Sequence, residues 1–130
     1  MSALFKRETA VLPMQPNENH LGKEGYAVKV VSGKAALVTA DTDVPLGVIL
    51  DGEDTTGRSA VAVADACGGT VRVKLSSVPG AVLTGGYLTI ASDGTFKAAV
   101  SGKTQCARAL ENGAANELIE AALHKPSTAP

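Results

Sequence analysis

From Gly25 onward, the chain consists of short runs in which apolar and polar residues alternate, and the runs end at glycine, aspartate or serine. Residues 70–75 are the clearest run, with valine and leucine on one side and Arg72 and Lys74 on the other. A period of two is typical of a strand in a sheet that has one buried and one hydrated face. The sequence therefore predicts an all-β fold of about nine short strands, as a small β-barrel, a β-tulip-like domain or a sandwich.

The alternating runs form two similar halves. Gly25-Tyr26 and Gly86-Tyr87 lie 61 residues apart (86 − 25), and each pair opens a run that turns at a glycine. Two further pairs of segments match at a similar spacing: 46–50 with 106–110, and 59–66 with 116–123. A period of this length exceeds that of common solenoid repeats. We therefore predict two related four-stranded halves, joined through residues 70–75.

The last run, residues 117–124, fits two kinds of structure. Its apolar residues lie on one face of a two-turn helix and equally on one face of a strand, and helix propensity favours the helix. The corresponding segment of the first half, 59–66, alternates as a strand does. The repeat therefore favours a strand for the last run.

Residues 1–24 lack the alternation and contain Pro13 and Pro16, which resist both helix and inner strand. The sequence predicts an extended N-terminal arm over 1–24, a β domain over 25–124 and a C-terminal tail over 125–130. The arm is either a frayed terminus or a segment that orders on a partner, and the apolar Phe5 favours the second. Its candidate partner-binding residues are Leu4, Phe5, Lys6, Arg7, Val11, Leu12 and Met14.

Known catalytic and metal-binding patterns are missing from the sequence. His20 and His124 share no local motif with a nucleophile or a pair of carboxylates. Residues 101–104 lack the earlier glycine of a phosphate-binding loop, and the acidic loop 51–57 lacks the ligand spacing of a calcium loop. We therefore predict no enzymatic activity, no catalytic residue, no metal site and no cofactor.

Charge and composition exclude two classes of partner. The 12 basic and 13 acidic residues are interspersed, so the sequence has no basic stripe that could follow a phosphate backbone. With only two Tyr and two Phe, it also has few aromatic side chains on which nucleotide bases could stack. No apolar run approaches the ~20 residues of a membrane-spanning helix, and the first ten residues lack a secretory signal. We expect neither a nucleic-acid nor a membrane partner. Cys67 and Cys106 are predicted to be buried free thiols, with one disulfide between them as the alternative.

Four segments carry a likeness to a known family: 25–28, 44–48, 70–75, and 82–95 with its Gly85-Gly86 and Ser92-Asp93-Gly94-Thr95 turns. In these segments the sequence resembles the head decoration proteins, also called capsid cement proteins, of tailed bacteriophages. The resemblance extends from about Gly25 to Leu123. It departs from the family pattern at Tyr87, where a polar residue is usual.

The resemblance implies a viral structural protein that binds the outside of a phage capsid and stabilises the shell without catalysis. It also implies the major capsid protein as partner, a homotrimer on the particle, and a place on the virion surface after assembly in the host cytoplasm. The alternative is a carbohydrate- or cell-surface-binding β-sandwich module, for which Tyr26 and Tyr87 are the available stacking residues. A small hydrolase or lyase barrel is a third class, and the sequence lacks the catalytic constellation that it needs.

Overall fold

The computed structural model describes residues 11–53, 57–66 and 69–130. These residues form ten strands and no helix, and the strands lie in two antiparallel five-stranded sheets. The domain is a small β-sandwich-like fold, so the predicted all-β class is confirmed. The first sheet contains β1 (Val11–Met14), β2 (Ala27–Val31), β3 (Lys34–Leu37), β4 (Gly47–Asp51) and β5 (Ser59–Val63). The second contains β6 (Thr70–Lys74), β7 (Tyr87–Ile90), β8 (Phe96–Ala98), β9 (Thr104–Ala109) and β10 (Leu118–Thr128).

Both sheets have the same strand order. The order is β1-β5-β4-β2-β3 in the first sheet and β6-β10-β9-β7-β8 in the second, so each strand recurs five strands later. In each sheet one parallel bridge, Pro16 to Ala35 or Leu75 to Phe96, joins the two ends of the strand order and curls the sheet back on itself. The two-half repeat is confirmed, with corrections to its details. Each half has five strands, and residues 70–75 open the second half instead of linking the halves. The match of 59–66 with 116–123 is wrong by three residues, because Ala62 corresponds to Ala122.

Strand pairing gives residue-level equivalents between the halves. Residues that pair with one another across three neighbouring strands form a row. The first row, in the first sheet, contains Ala27, Val48 and Ala62, and the second row, in the second sheet, contains Tyr87, Arg108 and Ala122. Tyr87 therefore corresponds to Ala27, and the Gly-Tyr match made in the sequence is shifted by one residue. Because such a shift moves a side chain to the opposite face of a sheet, Tyr26 packs against a buried cluster while Tyr87 is 49% exposed.

Part of the segment predicted as an arm belongs to the first sheet. β1 pairs antiparallel with β5, from Val11 opposite Ala62 to Met14 opposite Ser59. It is the counterpart of β6, which pairs with β10 in the same way. Pro13 is tolerated because β1 lies at one end of the strand order, where a missing backbone donor costs little. Residues 11–24 are thus a correction to the arm predicted over 1–24.

The segment predicted as a C-terminal tail is likewise structured. The last run is a strand, as predicted, and β10 continues to Thr128. Its pairing with β9 shifts register between Leu123 and Ser127, and this irregularity accommodates Pro126 within a strand. Ala129 is buried, and its backbone N–H donates to the carbonyl oxygen of Lys103 over 2.8 Å.

The core consists of two clusters of mostly aliphatic side chains. One cluster lies within the first half and contains Met14, Val28, Ala35, Ile49 and Val61. The larger cluster combines the apolar face of the second sheet, including Phe96, with the first row of the first sheet. Both faces of the first sheet are therefore buried, one inside its own curl and the other against the second half.

The two halves meet through close backbone contacts. The N–H of Ala27 donates to the carbonyl oxygen of Gly94 over 2.8 Å, and the N–H of Lys74 donates to that of Gly25 over 2.9 Å. Gly25 has a φ of +89°, and a Cβ atom there would lie 2.7 Å from the Lys74 nitrogen. A side chain at position 25 would push the halves apart.

Gly25→Ala should therefore destabilise the domain more than a matched substitution at Gly33. Gly33 also has a positive φ, of +75°, but a Cβ atom there meets nothing within 4 Å. Gly33→Ala thus carries the backbone strain without the clash. We expect Gly25→Ala to lower the free energy of unfolding by about 2 kcal/mol more than Gly33→Ala does, measured by urea denaturation. Equal losses would show that the junction tolerates a side chain.

Candidate functional site

A buried histidine–serine pair joins the segment after β1 to β5. His20 Nδ1 lies 3.1 Å from Ser59 Oγ, and that hydroxyl donates to the carbonyl oxygen of Gly52 over 2.8 Å. Because the hydroxyl hydrogen is used in this way, Nδ1 is the donor to Ser59. Both side chains are fully buried, so a substrate has no access to the hydroxyl. The pair fastens residues 15–24 to the first sheet and is not a nucleophile with its base.

No sequence pattern indicates this pair, because its members lie 39 residues apart and share no local motif. His20 Nε2 is buried, and no described residue forms a hydrogen bond with it. A proton added there would have a charge and a donor that the surroundings do not satisfy. Burial accordingly lowers the pKa of His20 from 6.5; Glu18 raises it to a lesser extent and Lys23 lowers it further.

His20→Asn should remove part of the pH dependence of stability. Since the pKa of His20 is lowered on folding, the unfolded chain binds a proton that the folded chain does not once the pH falls below about 6.5. The wild-type free energy of unfolding should therefore fall between about pH 7 and pH 5. In His20→Asn, whose amide can still donate to Ser59, that part of the fall should vanish. His124→Asn is the control and should keep it; a fall of the same size in both variants would contradict the assignment.

The other described side chains that could act in catalysis or bind a metal form no site. Across residues 11–53, 57–66 and 69–130, no three His, Cys, Asp or Glu side chains are grouped to hold a metal ion. Cys106 is a free, buried thiol, as predicted for it, and burial raises its pKa to about 12. A thiol with that pKa is a packing residue. Cys67 lies outside the described residues. In the part of the chain that is described, no helix is long and apolar enough to cross a membrane.

Of the seven predicted partner-binding residues, the three that the structure describes are not brought together on one surface. Leu4, Phe5, Lys6 and Arg7 lie outside the described residues. Met14 is buried in the first-half cluster, and Leu12 packs against that cluster. For these two residues the partner-binding prediction is corrected, because their side chains complete the core of their own domain. Val11 remains at the surface, 37% exposed.

Substitutions at Met14 and Val11 should separate core from surface in β1. Met14→Ala removes a buried side chain and should lower the free energy of unfolding by about 2–5 kcal/mol. Val11→Ala, in the same strand, should cost less than about 1 kcal/mol. Urea denaturation measures both. Similar small losses would mean that β1 is dispensable to the fold.

The second row lies in an open groove. Tyr87, Arg108 and Ala122 line it together with Gln105, His124, Lys125 and other residues, and its volume is about 500 Å³. The rings of Tyr87 and His124 meet edge to face, with centroids 5.5 Å apart and an angle of 83° between the planes. His124 Nε2 is buried and has no hydrogen-bond partner in the part of the chain that the structure describes. An exposed tyrosine beside an arginine is a combination enriched at protein interfaces.

A second groove opens at the first sheet and is more apolar. It has a volume of about 460 Å³ and is lined chiefly by Val30, Val44, Pro45 and Leu46, with Asp65 among its polar residues. Val30 is 51% exposed and Val44 is 74% exposed. Lys125 lines both grooves, so they flank the same part of β10. Grouped exposed aliphatic side chains of this kind mark interaction sites.

A charged turn holds one wall of the groove that contains Val30 and Val44. The Asp43 carboxylate accepts hydrogen bonds from the backbone N–H groups of Thr39 and Ala40, over 2.9 and 3.0 Å, and from Lys29 Nζ over 3.0 Å. The hydrogen bond from Thr39, and next that from Lys29, lowers the pKa of Asp43. This carboxylate is satisfied within the chain, so its role is to shape the loop before Val44.

Neither a protein-family model nor a curated protein matches this sequence. The described residues offer two neighbouring open grooves with aliphatic, aromatic and charged linings, on a scaffold whose histidine–serine pair is sealed. That arrangement is suited to binding another macromolecule.

Proposed function

We propose that this chain is a decoration or cement protein that binds the outside of a phage capsid and stabilises the shell. The observation that carries the proposal is that exposed Val30, Val44 and Tyr87 line two open grooves and have no function in the domain's own core, as expected of a chain that works inside a protein assembly. A cement protein acts by contact alone, and it needs exposed binding surfaces more than an enclosed pocket. The sequence resemblance to tailed-phage decoration proteins supplies the capsid as the target.

The partner in this proposal is the major capsid protein, and the decorating unit on the particle is a homotrimer. Residues 1–10, with Leu4, Phe5, Lys6 and Arg7, directly precede the edge strand β1 in the chain. They are assigned to the capsid contact, because two large apolar and two basic side chains in four consecutive residues exceed what a purely solvating segment needs. Leu12 and Met14 are excluded from this role because they pack in the core, whereas Val11, which follows these residues in the chain, remains exposed.

The energy of one such contact is modest. Burying one large apolar side chain contributes roughly 1.5–3 kcal/mol, while ordering the backbone costs about 1–2 kcal/mol per residue. One copy of the segment therefore gains little, and linkage of several copies in one decorating unit multiplies the effect through effective concentration. This is how a protein with few aromatic anchors can hold a shell.

Deletion of residues 1–10 should weaken binding to the particle without unfolding the domain. The assay is co-sedimentation with empty capsids of the encoding phage, over a range of protein concentrations. The full chain should saturate the capsids, and the deletion should need at least about tenfold more protein, a loss of about 1.4 kcal/mol per copy. Leu4→Ala with Phe5→Ala should reproduce most of the loss. Val78→Ala, at a side chain that is 79% exposed and outside both grooves, is the control and should bind as the full chain does. A full chain that stays in the supernatant would overturn the proposed function.

A second candidate function, binding of carbohydrate or a cell surface, is favoured by Tyr87 alone. This exposed ring lies in a groove with Gln105 and Arg108, which can donate hydrogen bonds to sugar hydroxyls. A glycan array probed with the wild type and Tyr87→Ala separates the two functions. Binding to a glycan that Tyr87→Ala abolishes would favour the second candidate, and an array without binding would favour the capsid.

A further inference from the structure

Because the two halves are repeats, each half has a row surface and a surface equivalent to the one that receives a row. Within the chain, only the row of the first half and the receiving surface of the second half are in contact. The first row, Ala27, Val48 and Ala62, is fully buried in the cluster that it shares with the second sheet. The second row is its structural equivalent, yet Tyr87 and Arg108 are exposed and Ala122 is half-buried. The face that the first half uses to join the second half is thus open on the second half.

The surface that receives the first row shows the opposite asymmetry. On the second half it includes Gly94, whose carbonyl oxygen accepts from the N–H of Ala27 over 2.8 Å, and Thr104, whose N–H donates to the carbonyl oxygen of Asp41 over 3.0 Å. Ile90 lies in the cluster to which the first row also belongs. All three residues are buried.

Their counterparts on the first half are Val30, Gly33 and Val44, and all three are exposed. Val30 pairs with Ala35 as Ile90 pairs with Phe96, and Ala35 and Phe96 are the residues that make the parallel bridges. Gly33 and Gly94 are the glycines of the corresponding hairpin turns, both with positive φ. Val44 corresponds to Thr104 because the turns before these two residues match. The N–H of Asp43 donates to the carbonyl oxygen of Ala40, and the N–H of Lys103 donates to that of Val100.

We propose that copies of this chain associate head to tail, with the second row of one copy seated on the Val30, Gly33 and Val44 surface of the next. The contact between copies would repeat the contact between the halves. Each chain has one open surface of each kind, which is the condition for a heterologous contact that closes into a ring or continues as a filament. The occupant of both open surfaces is therefore a second copy.

Charge and size distinguish this contact from the one inside the chain. Arg108 stands where the first row has Val48, and Asp65 lines the groove that contains Val30 and Val44. Both are exposed, and neither forms an ion pair with another described residue. Lys29 and Lys125 line the same groove as Asp65, but Lys29 is already paired with Asp43. An ion pair between Arg108 and Asp65 across the contact would favour this orientation of docking. Tyr87 in place of Ala27 adds an aromatic anchor of the kind that interfaces use.

Cysteine cross-linking of the free protein tests the proposal, with Cys67→Ser in every variant. Val44→Cys marks the receiving surface, Ala122→Cys marks the second row, and the two variants are mixed under mild oxidation. The mixture should give at least about tenfold more disulfide-linked dimer than either variant alone, because the paired cysteines are held at a high effective concentration. Val78→Cys replaces Val44→Cys in the control mixture, since it is an equally exposed valine outside both grooves.

A charge swap gives the second measurement. Arg108→Glu in the Ala122→Cys protein should lower the yield by about fivefold, and Asp65→Arg in the Val44→Cys protein should restore it. Preferential cross-linking with restoration supports the proposal. Equal yields with the Val78→Cys control, or a majority of Ala122→Cys homodimers, would overturn it. No capsid is present in either measurement, so failure of this contact and failure of the proposed capsid binding are distinguishable.

Discussion

Burial of the first row against the second half is the contact on which the rest of the domain depends. It places small side chains, Ala27 and Ala62, where two backbones approach closely, and it requires Gly25 and Gly94 on either side of the junction. Because one face of the first sheet is used in this way, its other face has to be enclosed by curling. The parallel bridge from Pro16 to Ala35, together with the His20–Ser59 pair, supplies that enclosure.

The strands and their repetition could be predicted from the sequence because they depend on local alternation. β6 is visible from five consecutive alternating residues, and the shared glycine turns align the halves. β1 was not predicted as a strand because Pro13 argues against a strand unless that strand lies at an edge. No local sequence pattern shows that β1 lies at an edge. The end of β10 was predicted as a tail for a similar reason, since Pro126 is tolerated in a strand only where the pairing with β9 is irregular.

The candidate site was less predictable, because it depends on which of two equivalent faces is covered. Tyr26 and Tyr87 look alike in the sequence, and only strand pairing shows that Tyr87 occupies the position of Ala27. A signal was nevertheless present: where the first row has Val48, the second has Arg108, and a charged side chain at a repeat position indicates a face that stays open. The His20–Ser59 pair had no comparable signal, since its partners come from separate segments.

The strand order also sets the sequence of events during synthesis. In each half the first strand pairs with the last, β1 with β5 and β6 with β10, so neither sheet closes until its final strand has left the ribosome. The first half is complete at Val63, whereas the second waits for β10 at the C-terminus. Through that interval the first row has no surface to cover it, and a nascent chain exposes Ala27, Val48 and Ala62 together. Domains of this kind fold from the N-terminus, and an uncovered apolar face is where a nascent chain is open to chaperones or aggregation.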